Sequence, residues 1–159
     1  MSAKVIDGKA IARAELACGV MDFEALARNA GDAIVVADPQ GTITFWNAAA
    51  ERIFGFRADE ALGRPLELII PERLRARHNE GYAGVMKSGV TRYGADLLRV
   101  PALHKDGRSI SIAFTVCLLK GADGKPTAIA AFIRDETARW QEERALRRRI
   151  AELEGKATP

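Results

Sequence analysis

Between Ser109 and Val116 the sequence alternates strictly, with Ile110, Ile112, Phe114 and Val116 apolar and Ser109, Ser111, Ala113 and Thr115 small or polar. That period of two suits a β-strand with one face toward a core and the other toward water. Antiparallel sheets tolerate such one-sided strands, but the apolar face needs a cover from elsewhere in the chain. Similar segments flank this one: Tyr93 to Leu103 before the turn at Lys105-Asp106-Gly107, and Thr127 to Arg134 after the turn at Asp123-Gly124. Further upstream, Asp32 to Asp38 reads as a buried strand, Pro39-Gln40-Gly41 as a turn and Thr42 to Trp46 as its alternating partner. The expected class is therefore α+β, built on a five-stranded antiparallel sheet.

The cover must come from the middle of the chain. Asn47 is placed to cap a short helix, Ala48 to Phe54, that ends at Gly55. Asp59 to Leu62 gives a second, stopped by Gly63 and Pro65, and Pro71 opens a longer one running to about Lys87. At 3.6 residues per turn, Leu74, His78, Tyr82 and Val85 share one face of that helix, while Arg73, Arg75, Arg77, Glu80 and Lys87 point elsewhere. A pocket can thus form between the helix and the apolar face of Ile112, Phe114 and Val116. A neutral imidazole on a greasy face can bind a transition metal without bringing a net charge, whereas a lone helical histidine is more often a plain core or surface residue. Met86, about 80° around the helix from His78, reads as packing. Trp46 can stack on a flavin but fits plain packing better, and His104, just before a turn, is expected to be exposed.

A hydrophobic fraction of 48% in 159 residues supplies a real core, and the net charge of +3 includes no long basic run to track phosphates. Nucleic acid is not an expected partner. Cys18 and Cys117 lie far apart with no metal-binding spacing, which suits a reduced, cytoplasmic protein. No apolar run approaches the roughly 20 residues of a membrane span, and the first residues lack a signal-peptide core. Ile11, Leu16, Val20, Phe23 and Ala27 recur at helical spacing, weakened at Gly19 and re-capped at Asp22, which predicts helical pieces over 10–18 and 22–29. From Asp135 the chain becomes highly charged, with a narrow seam of Leu146, Ile150 and Leu153. That pattern predicts an exit helix able to pair with a second copy in a homodimer.

The order of strands, short helices and charged exit helix resembles the PAS sensor fold, and local motifs agree. The stretch from Ile43 through Trp46, Asn47, Glu51 and Phe54 to Phe56 resembles the PAS motif after the first hairpin, and Asp135-Glu136-Thr137 resembles the exit signature. The resemblance implies a helical extension over 1–21, a sensor domain over 22–136 and a signalling helix over 137–159, with short helices covering one face of the sheet. PAS domains are typically sensory or dimerising modules, and this chain carries no kinase or cyclase motif. The expected role is therefore sensing rather than catalysis, passed through the terminal helices to another signalling protein such as a kinase.

Within that family the segment Pro71 to His78 resembles the helix that supplies a histidine to haem iron in the FixL and Dos type of haem-binding PAS domain. The resemblance makes His78 the metal ligand of a b-type haem, clamped by Leu74, Tyr82, Leu97, Leu98, Ile112, Phe114 and Val116, with Arg92 near the place of a propionate partner. It implies a diatomic gas, oxygen, carbon monoxide or nitric oxide, or a redox change, as the signal. The distal position that carries an arginine or a methionine in those proteins falls here on Leu98 or Asp96, with Arg99 one residue away and so on the opposite face of an unbulged strand. The alternative is a PAS module that holds FAD, another small ligand or no cofactor, or that serves dimerisation and partner binding alone.

Overall fold

Asp22 caps the first described helix, α1 (Phe23–Asn29), by accepting the N–H of Ala25, in a computed structural model that describes residues 21–91 and 96–156. The expected helix over 10–18, Cys18, Arg92 and the predicted strand start at Tyr93 lie outside those residues. β1 (Ala33–Ala37) and β2 (Ile43–Trp46) form the first hairpin. Helix α2 (Ala48–Phe54) follows, capped by Asn47 and closed by Gly55 at φ 79°, a left-handed position that favours glycine. Next come α3 (Ala58–Ala61), a 3₁₀ turn over Leu66–Ile69 and α4 (Glu72–Ser88). The second half is β3 (Leu98–Leu103), β4 (Ser109–Lys120), β5 (Pro126–Asp135) and the exit helix α5 (Thr137–Lys156).

All pairings are antiparallel and the strand order is β2-β1-β5-β4-β3, so the last strand in sequence closes against the first. The alternation in β4 carries across the sheet. Ala33 faces Ile133, Ile133 faces Phe114 and Phe114 faces Leu98, which places all four side chains on one surface. That surface, with Val35, Ile110 and Ile112, meets Ala49, Ala50 and Phe54 of α2 in the core. The expected sheet with short helices on one face is what the chain forms. Most element ends differ by a residue or two from the sequence expectation, but the strand expected from Tyr93 begins only at Leu98, after Asp96 and Leu97, and the 3₁₀ turn entered from an extended Pro65 was not expected.

Asn47 is more than a helix cap. Its side-chain oxygen accepts from the N–H groups of Ile34 and Ala50, both at 3.0 Å, and its amide donates to the carbonyls of Ala27 and Asp32. Every bonding position of the buried amide is used, so one side chain fastens α1, β1 and α2 together.

Candidate functional site between the long helix and the sheet

Helix α4 forms because Arg, Leu, Glu, Ala and Met recur through it, and it ends where Gly89 takes φ 68°. Its stripe is where the spacing put it: Leu74, His78, Tyr82 and Val85 are half-buried, as is Met86, while Arg73, Arg77, Glu80 and Lys87 are exposed and Arg75 is half-buried with its Nε donating to the Ile70 carbonyl. Yet none of its 17 residues is fully buried. The helix lies against β5, and on the inner face Leu98, Phe114, Val116 and Ala131 are likewise only half-buried. An ordinary helix–sheet contact would bury such a stripe. Here the lid sits loosely over an apolar floor.

His78 is oriented from its own helix. Its Nδ1 lies 3.2 Å from the Asn79 side-chain oxygen, and the Asn79 amide donates to Glu67 Oε1 at 2.6 Å. Because Glu67 takes the amide donors, the Asn79 oxygen faces the imidazole, which assigns the proton to Nδ1 and leaves the Nε2 lone pair free. Among the described residues no group of three or more His, Cys, Asp or Glu could hold a metal ion. A single histidine holds iron well only when a macrocycle supplies the other donors, so this donor set fits haem and does not fit a bare metal.

Tyr82 stacks beside His78, with ring centroids 5.8 Å apart, and its hydroxyl reaches the carbonyls of Ala37 at 3.0 Å and Asp38 at 2.6 Å. Burial and then the Asp38 carboxylate push its pKa up to about 12, so it remains a neutral donor. It ties α4 to the end of β1. His78, Asn79 and Tyr82 also wall a cleft of about 240 Å³ against the β1–β2 turn and Pro65 to Glu67. That cleft is smaller than the roughly 300 to 1,000 Å³ usual for ligand sites, and the sheet residues Ile112, Phe114 and Val116 do not line it.

The remaining expected residues divide cleanly. Leu98 faces inward opposite Phe114, and the β3–β4 register runs unbroken from there to Leu103 opposite Ser109. Leu97, expected among the residues clamping the haem, precedes the strand and is 49% exposed, so it does not share the inner face with Leu98. Arg99 points outward, its Nε donating to Glu136 at 2.9 Å. Ile112 is buried in the core, whereas Phe114 and Val116 border the looser region. Trp46 packs on Phe54 and donates its indole N–H to the Phe56 carbonyl, which is plain packing. His104 corrects the expectation of exposure: its side chain is only 15% exposed and lies over Gly55, where a Cβ would stand 2.5 Å from Nε2. The turn holds it there, since the Lys105 N–H donates to the Phe54 carbonyl.

The antiparallel sheet, the lid helix and the strand-to-helix exit define a sensory-module fold whose apolar inner face is only partly covered by that helix. The PAS fold family matches residues 21–135, and the chain belongs to that family. A protein of Azorhizobium caulinodans described as uncharacterized is 36% identical over 118 residues, covering 74% of this chain and 16% of that protein. The oxygen sensor protein DosP of Escherichia coli is 27% identical, covering 80% of this chain and 16% of that one. The sensor protein FixL of Bradyrhizobium diazoefficiens is 28% identical, covering 77% and 24% respectively. The chain thus spans less than a quarter of the length of these relatives. Among solved structures, a PAS domain from Colwellia psychrerythraea matches with TM-score 0.64 at 23% identity, covering 73% of this chain and 95% of that one. An RNA-binding light-oxygen-voltage receptor matches with TM-score 0.62 at 19% identity, covering 95% of this chain and 40% of that one. These two show the shared fold. No helix among the described residues is long and apolar enough to cross a membrane.

Proposed function

We propose that this PAS domain is a haem-based sensor in which His78, through Nε2, is the axial ligand of a b-type haem held between α4 and the inner face of the sheet. The observation that carries the reading is the loose lid: a histidine stripe and the apolar floor beside it both stay half-buried. When bound, the haem supplies the equatorial donors that a lone histidine lacks and an iron site for a diatomic gas. Leu98, Phe114 and Val116 exclude water from that space, and Asn79 keeps the Nδ1 proton in place. The matches to DosP and FixL support the same reading. The signal leaves through α5 to a second copy and to a downstream partner such as a kinase, in the cytoplasm.

One observation favours a second reading, a non-haem PAS module that senses another small molecule, flavin included, or serves dimerisation alone. The cleft that His78 itself lines is small, and polar side chains such as Gln40, Glu67 and Asn79 make up about half of its wall. Titration of the purified chain with hemin separates the two. A Soret band that saturates at one haem per chain, and that His78→Ala removes while the protein stays folded by circular dichroism, supports haem ligation. An unchanged band in His78→Ala overturns the ligand assignment, and a chain that takes up no hemin supports the second reading.

A further inference from the structure

A second groove, of about 920 Å³, runs between β3, β4 and the first turns of α5 and shares no residue with the cleft at His78. Five arginines, Arg73, Arg99, Arg139, Arg144 and Arg147, line it against two glutamates, Glu136 and Glu143. Its net charge is therefore +3, equal to that of the whole chain, which elsewhere is balanced. Arg99 and Arg139 pair with Glu136 and Arg147 with Glu143. The Arg147–Glu143 pair faces solvent on both sides and is worth only about 0–1 kcal/mol, so an incoming carboxylate can exchange with it. The Glu136 side chain that Arg99 and Arg139 share, by contrast, is only 17% exposed. Arg73 and Arg144 have no carboxylate partner among the described residues, and the Arg144 guanidinium lies 5.1 Å over the Trp140 ring.

We propose that this groove docks an acidic, amphipathic helix of a partner protein. Tryptophan and arginine are the residue types that dominate protein–protein affinity, and Trp140, Val100 and Pro101 add an apolar wall to the arginine forks. Glu136 and Glu143 inside the groove disfavour a nucleic acid, whose backbone presents a phosphate at every step. Strand addition is also disfavoured. β3 is an edge strand, but Pro101 within it has no N–H to offer a new neighbour. At 100° per residue, Trp140, Arg144 and Arg147 fall on one side of α5, while Leu146, Ile150 and Leu153 centre about 120° away. The same helix can therefore pair with a second copy and leave the groove open.

The test uses the full chain and a fluorescein-labelled helical peptide of glutamate and leucine, followed by fluorescence anisotropy, with a lysine–leucine peptide and a single-stranded oligonucleotide as comparisons. The glutamate peptide should bind, weaken as salt rises, and lose at least about tenfold in affinity with Arg73→Glu or with Arg144→Glu. Arg149→Glu, on the far side of α5, should leave binding within about twofold. Equal losses from Arg149→Glu, tighter binding of the oligonucleotide, or no binding of the glutamate peptide overturns the proposal. None of these readings depends on haem.

Discussion

The backbone N–H of Ser111 donates to the hydroxyl of Thr137 at 3.0 Å, and the Ser111 carbonyl accepts from the N–H of Glu136 at 2.8 Å. One residue of β4 thus fastens the start of α5, and its neighbours Ile110 and Ile112 are buried on the sheet's other face. The Thr137 N–H turns back to Asp135 Oδ1 at 2.8 Å, which bends the chain from strand to helix. A ligand over the inner face can bias α5 only by favouring one of two arrangements of a connected element, and this junction is the direct connection.

Thr137→Val keeps the side-chain shape and removes the oxygen that accepts from Ser111. The expected cost is about 1–2 kcal/mol, read as a lower urea midpoint with an unchanged slope. Amide exchange in the first turn of α5 should quicken, and Thr137→Ser should restore both. Unchanged exchange in the valine variant would show that the hydroxyl does not hold the helix.

Tyr82→Phe removes the hydroxyl that ties α4 to the end of β1, with an expected loss of roughly 1 kcal/mol at neutral pH. Because the folded pKa is raised to about 12, above the usual value near 10 for an exposed tyrosine, the folded state holds this proton more tightly than the unfolded chain. That contribution is fully present below about pH 10 and is lost as pH rises toward 12. Urea melts across this range should show wild type losing stability more steeply than Tyr82→Phe. Parallel curves would contradict the assignment.

Much of this was legible in advance because it is local. The period-two pattern of β4 fixed which side chains face inward, and the unbroken β3–β4 register kept Leu98 in and Arg99 out as the alternation required. What escaped was set by contacts distant in sequence. His104 looked exposed because it precedes a turn, but its ring is held over Gly55, and no local pattern encodes that meeting. Asn47 was legible as a cap through Ala50, whereas its bonds to Ala27, Asp32 and Ile34 depend on how β1 and α1 are assembled. Asn79 was within reach, since an amide beside a candidate ligand is a signal, but Glu67, twelve residues away, is what orients it.

Gly55→Ala meets two obstacles, the left-handed backbone and the His104 ring. The backbone alone costs about 1–2 kcal/mol for a residue with a Cβ. If the ring contact adds to it, the loss should shrink by on the order of 1 kcal/mol when the substitution is made in His104→Ala. Additive losses in the double-mutant cycle would show that the ring moves aside freely.

The outward Arg99 bears on gas selectivity if the haem reading holds. Its guanidinium is engaged with Glu136, and inward-facing Leu98 offers no hydrogen-bond donor. Ferrous protein loaded with haem should therefore bind carbon monoxide firmly and bind oxygen weakly or autoxidise quickly. Arg99→Ala should leave both behaviours unchanged. Tight oxygen binding that disappears in Arg99→Ala would mean that the side chain reaches the inner face after all.

The exit helix carries its apolar seam in the open, with Leu146, Ile150 and Leu153 at 64%, 54% and 56% exposure. Phe23 and Leu26 of α1 are also more than half exposed. Neither seam spans enough turns to be a stable helix pair alone, since short isolated helices are marginal in water. Burial against a second copy would supply roughly 25 cal/mol for each Å² of apolar surface removed from water, and the charged flanks of α5 would set the register. The protein is therefore expected to be a homodimer joined through its flanking helices. Light scattering should give twice the chain mass at tens of micromolar, and removal of 138–159 or charge substitution at Leu146 and Ile150 should lower it to that of one chain. A full-length monomer, or a dimer indifferent to both changes, would leave α5 without the partner helix that this form of signalling requires.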